Sequence, residues 1–257
     1  MPERLRAGLC SVTLRDRPAE EVIDVAVRAG LEAVEWGADT HVLPGDLHAA
    51  SALARRCADA GLACASYGSY LFAPTASAAA VEAVLDTAAA LGVPNVRVWT
   101  DWVGPDPEPT VRAAVCDQLA SIAAAAASRG LATSLEFHPG TLTETAASTV
   151  ALLDAVAAPN LFTYWQPPTG LPVSDLLASW RAVRDRASHL HVFRWRSYHN
   201  RQPLAEGADL WPAVVAEPPV DGRWRGDHCA FLEFVRGDDP EQVVADAAVL
   251  RSWLRGP

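Results

Sequence analysis

Short apolar runs alternate with longer amphipathic segments along this chain. The runs are rich in branched and aromatic residues and mostly lack strict alternation, which predicts buried strands. The predicted strands are Ala7–Thr13, Leu31–Trp36, Leu62–Tyr67, Asn95–Trp99, Leu131–Phe137, Leu161–Trp165, His189–Phe193 and Ala230–Val235. The predicted helices are Pro18–Ala29, Asp46–Ala60, Ser77–Leu91, Pro109–Arg129, Glu144–Val156, Ser174–Arg186, Leu210–Ala216 and Pro240–Leu254. Apolar strands of this kind are typical of a parallel sheet covered by helices.

Glycine and proline mark the ends of these elements. The stretches RAGLEAVEW, DAGLACASY and SRGLATSLEF each place a glycine between a helix and the next strand. Proline stands in the first helical turn of DRPAEEV and DDPEQVV. Eight strand–helix units in 257 residues predict an α/β fold, a (β/α)8 TIM barrel forming a single domain over residues 1–257. A doubly wound open sheet is the alternative, although no GxGxxG motif follows a strand.

Ionisable residues interrupt the last strands near their carboxyl ends, where such barrels carry their chemistry. Glu136, His191 and Glu233 would be costly to bury unless they are paired or bind a metal. Gln166 follows the remaining strand of this group. Two carboxylates, one imidazole and one amide oxygen from consecutive strands predict a site for one divalent cation, with Mn²⁺, Mg²⁺ or Co²⁺ favoured.

Each of these residues also has a structural interpretation. A glutamate at a strand end is often the ion-pair partner of an arginine, and Gln166 is also suited to capping a turn. Arg97 and Glu35 are candidates for a buried salt bridge, as an alternative to substrate binding by Arg97. His138 and His189 share faces with Glu136 and His191, and each fits either substrate contact or packing.

Aromatic residues cluster near the predicted strand ends, which suits stacking on the C–H faces of a sugar. This set comprises Trp36, Tyr67, Trp99, Trp165 and Trp195. We expect the substrate pocket to be lined by His138, Trp36, Tyr67, Arg97 and Trp165. Arg194, Arg196 and Arg201 follow the seventh strand and are expected to close over the sugar or bind a phosphate.

Composition narrows the possible functions. The net charge of −10 argues against nucleic-acid binding. The chain has no lysine, so Schiff-base chemistry, pyridoxal phosphate enzymes and a Walker A loop are excluded. Five scattered cysteines, no signal-peptide pattern at MPERLRAGLC and no long apolar run predict a cytoplasmic protein without a membrane span. The expected partner is a small carbohydrate, and a homo-oligomer is left open.

Several motifs together resemble the xylose isomerase-like TIM barrel superfamily, in its sugar phosphate isomerase/epimerase branch. They are GLEAVEWGADTHV, ASYGSY, NVRVW, LEFHPGTLTET, PNLFTYWQPP, HLHVF and FLEFV, in order along nearly the whole chain. The resemblance implies a metal held by Glu136, Gln166, His191 and Glu233, with Gln166 in the place of the usual aspartate. It also implies that Glu136 and Glu233 move protons on the two faces of the substrate.

Three functions remain open from the sequence. The first is a metal-dependent isomerase or epimerase of a small sugar, working through an enediolate. The second is a lyase on the same site, a keto-sugar or polyol dehydratase or a C-glycoside cleaving subunit. The third is a non-catalytic sugar-binding subunit that lost its metal with the aspartate. An abasic-site endonuclease is disfavoured by the net charge.

Overall fold

The computed structural model describes residues 5–256, and within them eight parallel strands close into one barrel. The barrel strands are β1 (Leu5–Cys10), β2 (Ala33–Gly37), β3 (Ala63–Ala73), β4 (Asn95–Thr100), β5 (Ala132–Leu135), β6 (Leu161–Trp165), β7 (Ala187–Val192) and β10 (His228–Leu232). Their order around the barrel is β1-β10-β7-β6-β5-β4-β3-β2. The predicted TIM barrel is therefore confirmed, and the open-sheet alternative is wrong because β1 pairs with both β2 and β10.

Helices follow the strands and form the outer layer of the barrel. They are α1 (Ala19–Arg28), α2 (Leu47–Asp59), α3 (Ala78–Leu91), α4 (Pro109–Ala127), α5 (Ala146–Val156), α6 (Val173–Val183), α7 (Trp211–Ala216) and α8 (Pro240–Leu254). Side-chain caps begin several of them: Asp46 accepts from the Ala49 amide, and Ser77 accepts from the Ala80 amide. Gly92 ends α3 with a φ of 72°, a conformation that favours glycine.

Several segments differ from the sequence prediction, and β5 and β10 end at Leu135 and Leu232, so that Glu136 and Glu233 directly follow their strands. β1 ends at Cys10, and the predicted strand end up to Thr13 is instead a 3-10 helix, Ser11–Leu14. β3 continues to Ala73 because its pairing with β4 resumes after an irregular stretch between Gly68 and Phe72. The predicted loop after β7 contains an antiparallel hairpin of β8 (Arg194–Ser197) and β9 (Asn200–Gln202).

The inside of the barrel carries a hydrogen-bonded polar layer below its carboxyl-terminal mouth. We call this layer the polar floor; it consists of Ser66, Asn95, Ser134, Tyr164 and Ser188, all fully buried. Asn95 Nδ2 donates to Ser66 Oγ at 3.0 Å, and Ser134 Oγ lies 2.8 Å from Asn95 Oδ1 and 2.7 Å from Ser188 Oγ. Because these side chains come from five strands, the polar floor fixes those strands relative to one another just beneath the site.

Two expectations concern the chain as a whole. No helix among residues 5–256 is long and apolar enough to cross a membrane. The first four residues of the stretch in which we expect no signal peptide lie outside the described residues. Pro257, the last residue of the predicted domain, also lies outside them.

Candidate active site

Charged and polar side chains form the next layer above the polar floor, at the carboxyl ends of the strands. This layer consists of Cys10, Glu35, Arg97, Glu136, Gln166, His191 and Glu233. Each is at most 7% exposed, although most are ionisable. Pleating explains the placement, because residues two apart along a strand share a face: Gln166 lies above Tyr164, and Glu136 lies above Ser134.

His191 lies at the centre of this layer. Its Nδ1 is 3.0 Å from Gln166 Oε1 and 3.4 Å from both Glu136 Oε1 and Glu233 Oε2. Atoms that share one cation at about 2.1 Å are separated by about 3.0 Å in octahedral and about 3.4 Å in tetrahedral geometry. Each predicted ligand therefore lies close to Nδ1, but the described His, Cys, Asp and Glu residues whose ligand atoms all lie within 4.8 Å of one another are Cys10, His191 and Glu233, without Glu136.

Glu35 lies on the other side of the His191 ring. Its Oε1 is 3.3 Å from His191 Nε2, and its Oε2 accepts a hydrogen bond of 2.6 Å from the Tyr164 hydroxyl. A carboxylate at one ring nitrogen favours a proton there and leaves the lone pair of the other nitrogen for a metal. Glu35 thus orients His191, a role that sequence reasoning missed because it considered Glu35 only as a partner of Arg97.

The charges of the layer do not balance without a cation. Arg97 lies between Glu35 and Glu136: its Nε is 3.2 Å from Glu35 Oε1, and its Nη1 forms an ion pair with Glu136 Oε2. The third carboxylate is that of Glu233. With His191 neutral, as in a metal-bound imidazole, and Glu233 ionised, the layer would carry two negative charges in excess; protonation of His191, which its raised pKa favours, reduces the excess to one.

The pKa values of the carboxyl groups reflect these neighbours. Burial raises the pKa of Glu136, but Arg97 and His191 outweigh it and lower the pKa to about 2. Burial also raises the pKa of Glu233, and although His191 opposes this, the pKa reaches about 7. Burial lowers the pKa of His191, but Glu233 and Glu136 raise it well above its ordinary value. The two predicted proton carriers are therefore unequal.

Cys10 is a further donor that sequence reasoning missed. Within residues 5–256, the ligand atoms of Cys10, His191 and Glu233 lie within 4.8 Å of one another and form a compact buried group. The Cys10 thiol contacts Glu35 Oε1 at 3.3 Å, and burial together with Glu35 raises its pKa. The sequence carried no signal for it, because the predicted first strand continues to Thr13 and places Cys10 in its middle, whereas β1 ends at Cys10. A sulfur donor suits zinc and cobalt better than magnesium.

Comparisons with known proteins identify the family to which this barrel belongs. The sequence profile described as xylose isomerase-like TIM barrel matches residues 23–217. The chain belongs to this family. None of the curated proteins matches the sequence, whereas many solved structures share its fold.

Three of these structures show how far the xylose isomerase-like fold extends along the chain. A probable 3-DHS dehydratase, AsbF from Bacillus anthracis, is 19% identical with a TM-score of 0.80, covering 96% of this chain and 99% of its own. The D-psicose 3-epimerase of Clostridium cellulolyticum H10 is 14% identical with a TM-score of 0.74 and 98% coverage of both chains. The IolI protein, solved with a bound zinc atom, is 13% identical with a TM-score of 0.72, covering 97% and 98%. At these identities the similarity shows the fold.

Trp165 does not reach the mouth of this xylose isomerase-like barrel, contrary to expectation. Its ring is fully buried between Trp180 and Trp211 at centroid distances of 5.5 and 6.0 Å, and its Nε1 donates to Ser179 Oγ. Because its neighbour Gln166 points into the barrel, Trp165 points outward to the helices.

The same alternation places Trp36 and Tyr67 outside the pocket. Both are fully buried beside inward-facing residues of β2 and β3. The Tyr67 hydroxyl donates to the Val42 carbonyl at 2.6 Å, and the Trp36 ring contacts His41 edge-on at 5.7 Å. Their expected role in lining the pocket is therefore wrong, and both are core residues of the outer layer.

The predicted basic residues are already paired. Arg97 forms the buried bridge with Glu35 that was its alternative interpretation. Arg194 pairs with Asp209 at 3.1 Å, while Arg196 approaches Glu206 at 3.7 Å and is largely exposed. The expected contact of these arginines with substrate stays a prediction, and their ion pairs argue against it.

The two remaining histidines differ in position. His138 lies at the mouth, with its ring 4.9 Å from Trp99 and 5.2 Å from Trp102. His189 lies deeper, where its Nδ1 accepts from the Cys229 amide at 2.9 Å and its ring packs edge-on against Tyr164. His138 is therefore placed to contact a substrate, and His189 packs inside the barrel.

Proposed function

We propose that this protein is a divalent-metal-dependent enzyme that acts on a small sugar or sugar derivative through proton transfer next to a carbonyl. The observation that carries the proposal is the arrangement around His191 Nδ1, where oxygens of Glu136, Gln166 and Glu233 lie at 3.0–3.4 Å. These four residues would hold the cation, with Cys10 as a neighbouring soft donor. A bound divalent cation supplies a Lewis acid that polarises a carbonyl and its adjacent hydroxyl.

Glu233 is the residue best placed to move the proton. Both oxygens of Glu136 have partners, since Oε2 pairs with Arg97 and Oε1 faces His191. Glu233 lacks a guanidinium partner among the described residues, and it is slightly exposed towards the mouth. Glu233 would take the proton from the hydroxyl-bearing carbon beside the carbonyl and deliver it to the former carbonyl carbon, while the hydroxyl proton passes to the carbonyl oxygen, which is the chemistry of an aldose–ketose isomerase.

The difference between Glu136 and Glu233 also bears on the choice among an epimerase, an isomerase and a lyase. Epimerisation at one carbon requires an acid and a base on opposite faces, whereas isomerisation or elimination of a β-leaving group works with one carrier. The ion pair between Arg97 and Glu136 therefore favours an isomerase, and keeps a lyase as the second candidate. The probable dehydratase among the structural neighbours is compatible with that second candidate.

The test is a screen of ketoses and aldoses in D₂O with added Mn²⁺. We expect deuterium incorporation or product formation that depends on the metal, and its loss in Glu233→Gln with the fold intact by circular dichroism. Glu82→Gln is the matched control, because Glu82 is half exposed on the outer helix α3 and pairs with Arg129 on the surface. Full activity of Glu233→Gln would refute its role, and failure to bind any divalent metal would favour a non-catalytic sugar-binding subunit.

A further inference from the structure

A cavity of about 350 Å³ opens directly beside Gln166 at the mouth of the barrel. Its walls come from the loops after β5 and β6 and from the β8–β9 hairpin. The residues that shape it are Phe137, His138, Pro167, Phe193, Trp195 and Tyr198. Gln166 belongs both to this cavity and to the candidate metal centre, because its Oε1 faces His191.

The walls of this cavity are apolar except for the side chains of His138, Glu144, Gln166, Thr169 and Tyr198. Glu144 is one polar group there, and its Oε2 already accepts from the Gly140 amide at 2.7 Å. A buried hydroxyl without a partner costs about 1–3 kcal/mol. A polyol chain lying along Phe137, Phe193 and Trp195 would leave hydroxyls without partners, so that side of the cavity suits an apolar group.

The aromatic wall is held in place by its own contacts. Phe193 and Trp195 stack with centroids 3.9 Å apart, and Trp195 Nε1 donates to the Phe234 carbonyl at 3.2 Å. The Arg201 guanidinium lies 5.3 Å above the Trp195 ring and forms an ion pair of 2.6 Å with Asp238. These contacts hold the Trp195 ring in place, so a ring entering the cavity meets a preorganised aromatic wall.

The charge around the cavity disfavours a phosphate. Among residues 5–256, its lining includes the carboxylate of Glu144 and no arginine. The nearby Arg194 and Arg201 are each paired with an aspartate. A phosphate would have to break one of these pairs or approach Glu144 without compensation.

We propose that the substrate is a neutral α-hydroxy-carbonyl compound bearing a flat apolar or aromatic substituent, which occupies this cavity while the hydroxy-carbonyl end lies at the metal centre. The inference rests on the proposed function for the position of that reactive end. The apolar substituent and the absence of a phosphate are inferred from the cavity alone.

Matched ligand pairs test the two parts of the inference. Isothermal titration calorimetry on protein loaded with Mn²⁺ compares hydroxyacetone with 2-hydroxyacetophenone, which share the chelating end and differ in a methyl or phenyl group. We expect the phenyl compound to bind about tenfold to hundredfold more tightly. Dihydroxyacetone phosphate should bind no more tightly than dihydroxyacetone.

Two variants locate the preference. Trp195→Ala should remove most of the phenyl advantage while hydroxyacetone affinity is kept, and Leu47→Ala, a truncation of an exposed leucine on α2, should leave the advantage unchanged. If Trp195→Ala does not fold, Tyr198→Ala serves instead, because Tyr198 is 58% exposed and its loss disturbs little packing.

The outcomes separate this inference from the proposed function. Equal affinity for the phenyl and methyl compounds, a phenyl advantage that survives loss of Trp195, or tighter binding of the phosphate would each overturn the inference. Metal-dependent deuterium exchange of hydroxyacetone reports on the proposed function independently. Deuterium exchange without tighter binding of the phenyl compound would support the proposed function and refute the proposed apolar substituent.

Discussion

Replacement of Arg97 by methionine tests the electrostatic account of the site most directly. Arg97 is 2% exposed and pairs with Glu35 and Glu136, which are equally buried. Methionine fills much of the same volume but leaves two buried carboxylates without their cation. Breaking a buried pair in this way costs about 3–5 kcal/mol, which lowers the Tm of a chain of this size by about 6–20 °C.

The loss of stability in Arg97→Met should change with pH in a direction that follows from the pKa values of Glu35 and Glu136. In the wild-type protein, burial raises the pKa of Glu35 and Glu136, but Arg97 outweighs it, and their folded pKa values lie below the ordinary 4.5. Their contribution to stability is therefore fully present above about pH 4.5 and is lost as the pH falls towards about 2 for Glu136. In Arg97→Met, burial would raise both pKa values, so the loss of stability is largest at neutral pH and shrinks on acidification.

Thermal and urea unfolding between pH 4 and 7, with a chelator present, measure the effect. Arg129→Met is the control, because Arg129 forms surface pairs with Glu82 and Asp86 and its loss should cost less than about 1 kcal/mol. The double variant Arg97→Met/Glu35→Gln should recover part of the loss by removing one unpaired charge. The reasoning is refuted if Arg97→Met costs no more than the control, or if its cost does not decrease at low pH.

Three further variants probe the same layer. Gln166→Asp adds a negative charge to the ligand set and should raise Mn²⁺ affinity at least about tenfold by calorimetry; unchanged affinity would mean that residue 166 is not a ligand. Gly68→Ala should reduce the free energy of unfolding by about 1–3 kcal/mol, because its Cβ would lie 2.7 Å from Arg97 Nη2. Gly222→Ala is the control and should leave the Tm unchanged, because open space surrounds Gly222. Cys10→Ser should weaken Zn²⁺ binding more than Mn²⁺ binding in metal titrations, and equal losses would exclude sulfur as a donor.

The barrel was predictable because its elements are marked locally. Gly30, Gly61 and Gly130 end helices with positive φ, as the sequence suggested, and the bounds of β6 and α8 match the prediction. The β8–β9 hairpin was not predicted, because its short strands are polar and half exposed and carry no apolar run. Local sequence signals predict the helices and the barrel strands, whereas the hydrophobic pattern does not reveal two short strands that pair in a surface hairpin.

Within the site, the sequence indicated which polar residues at strand ends lie near one another, but it did not indicate the orientation of the neighbouring aromatic residues. Glu136, His191 and Glu233 stood out as polar residues in predicted apolar strands, and they do come together in the structure. Trp36 and Trp165 were misplaced because closeness to a strand end was weighed above the alternation of faces. Alternation counted from Glu35 and Gln166 would have placed both rings among the helices.

The polar floor holds the barrel strands together, whereas a different part of the chain forms the cavity proposed to select the ligand. It links five strands by side-chain hydrogen bonds below the ionisable layer, and Tyr164 connects it to Glu35. The aromatic cavity, in contrast, is built largely from loops and the β8–β9 hairpin above that layer. Mutations in these outer segments can therefore accumulate without displacing the ligand atoms, so this chain is a suitable starting scaffold for directed evolution of specificity by hairpin exchange.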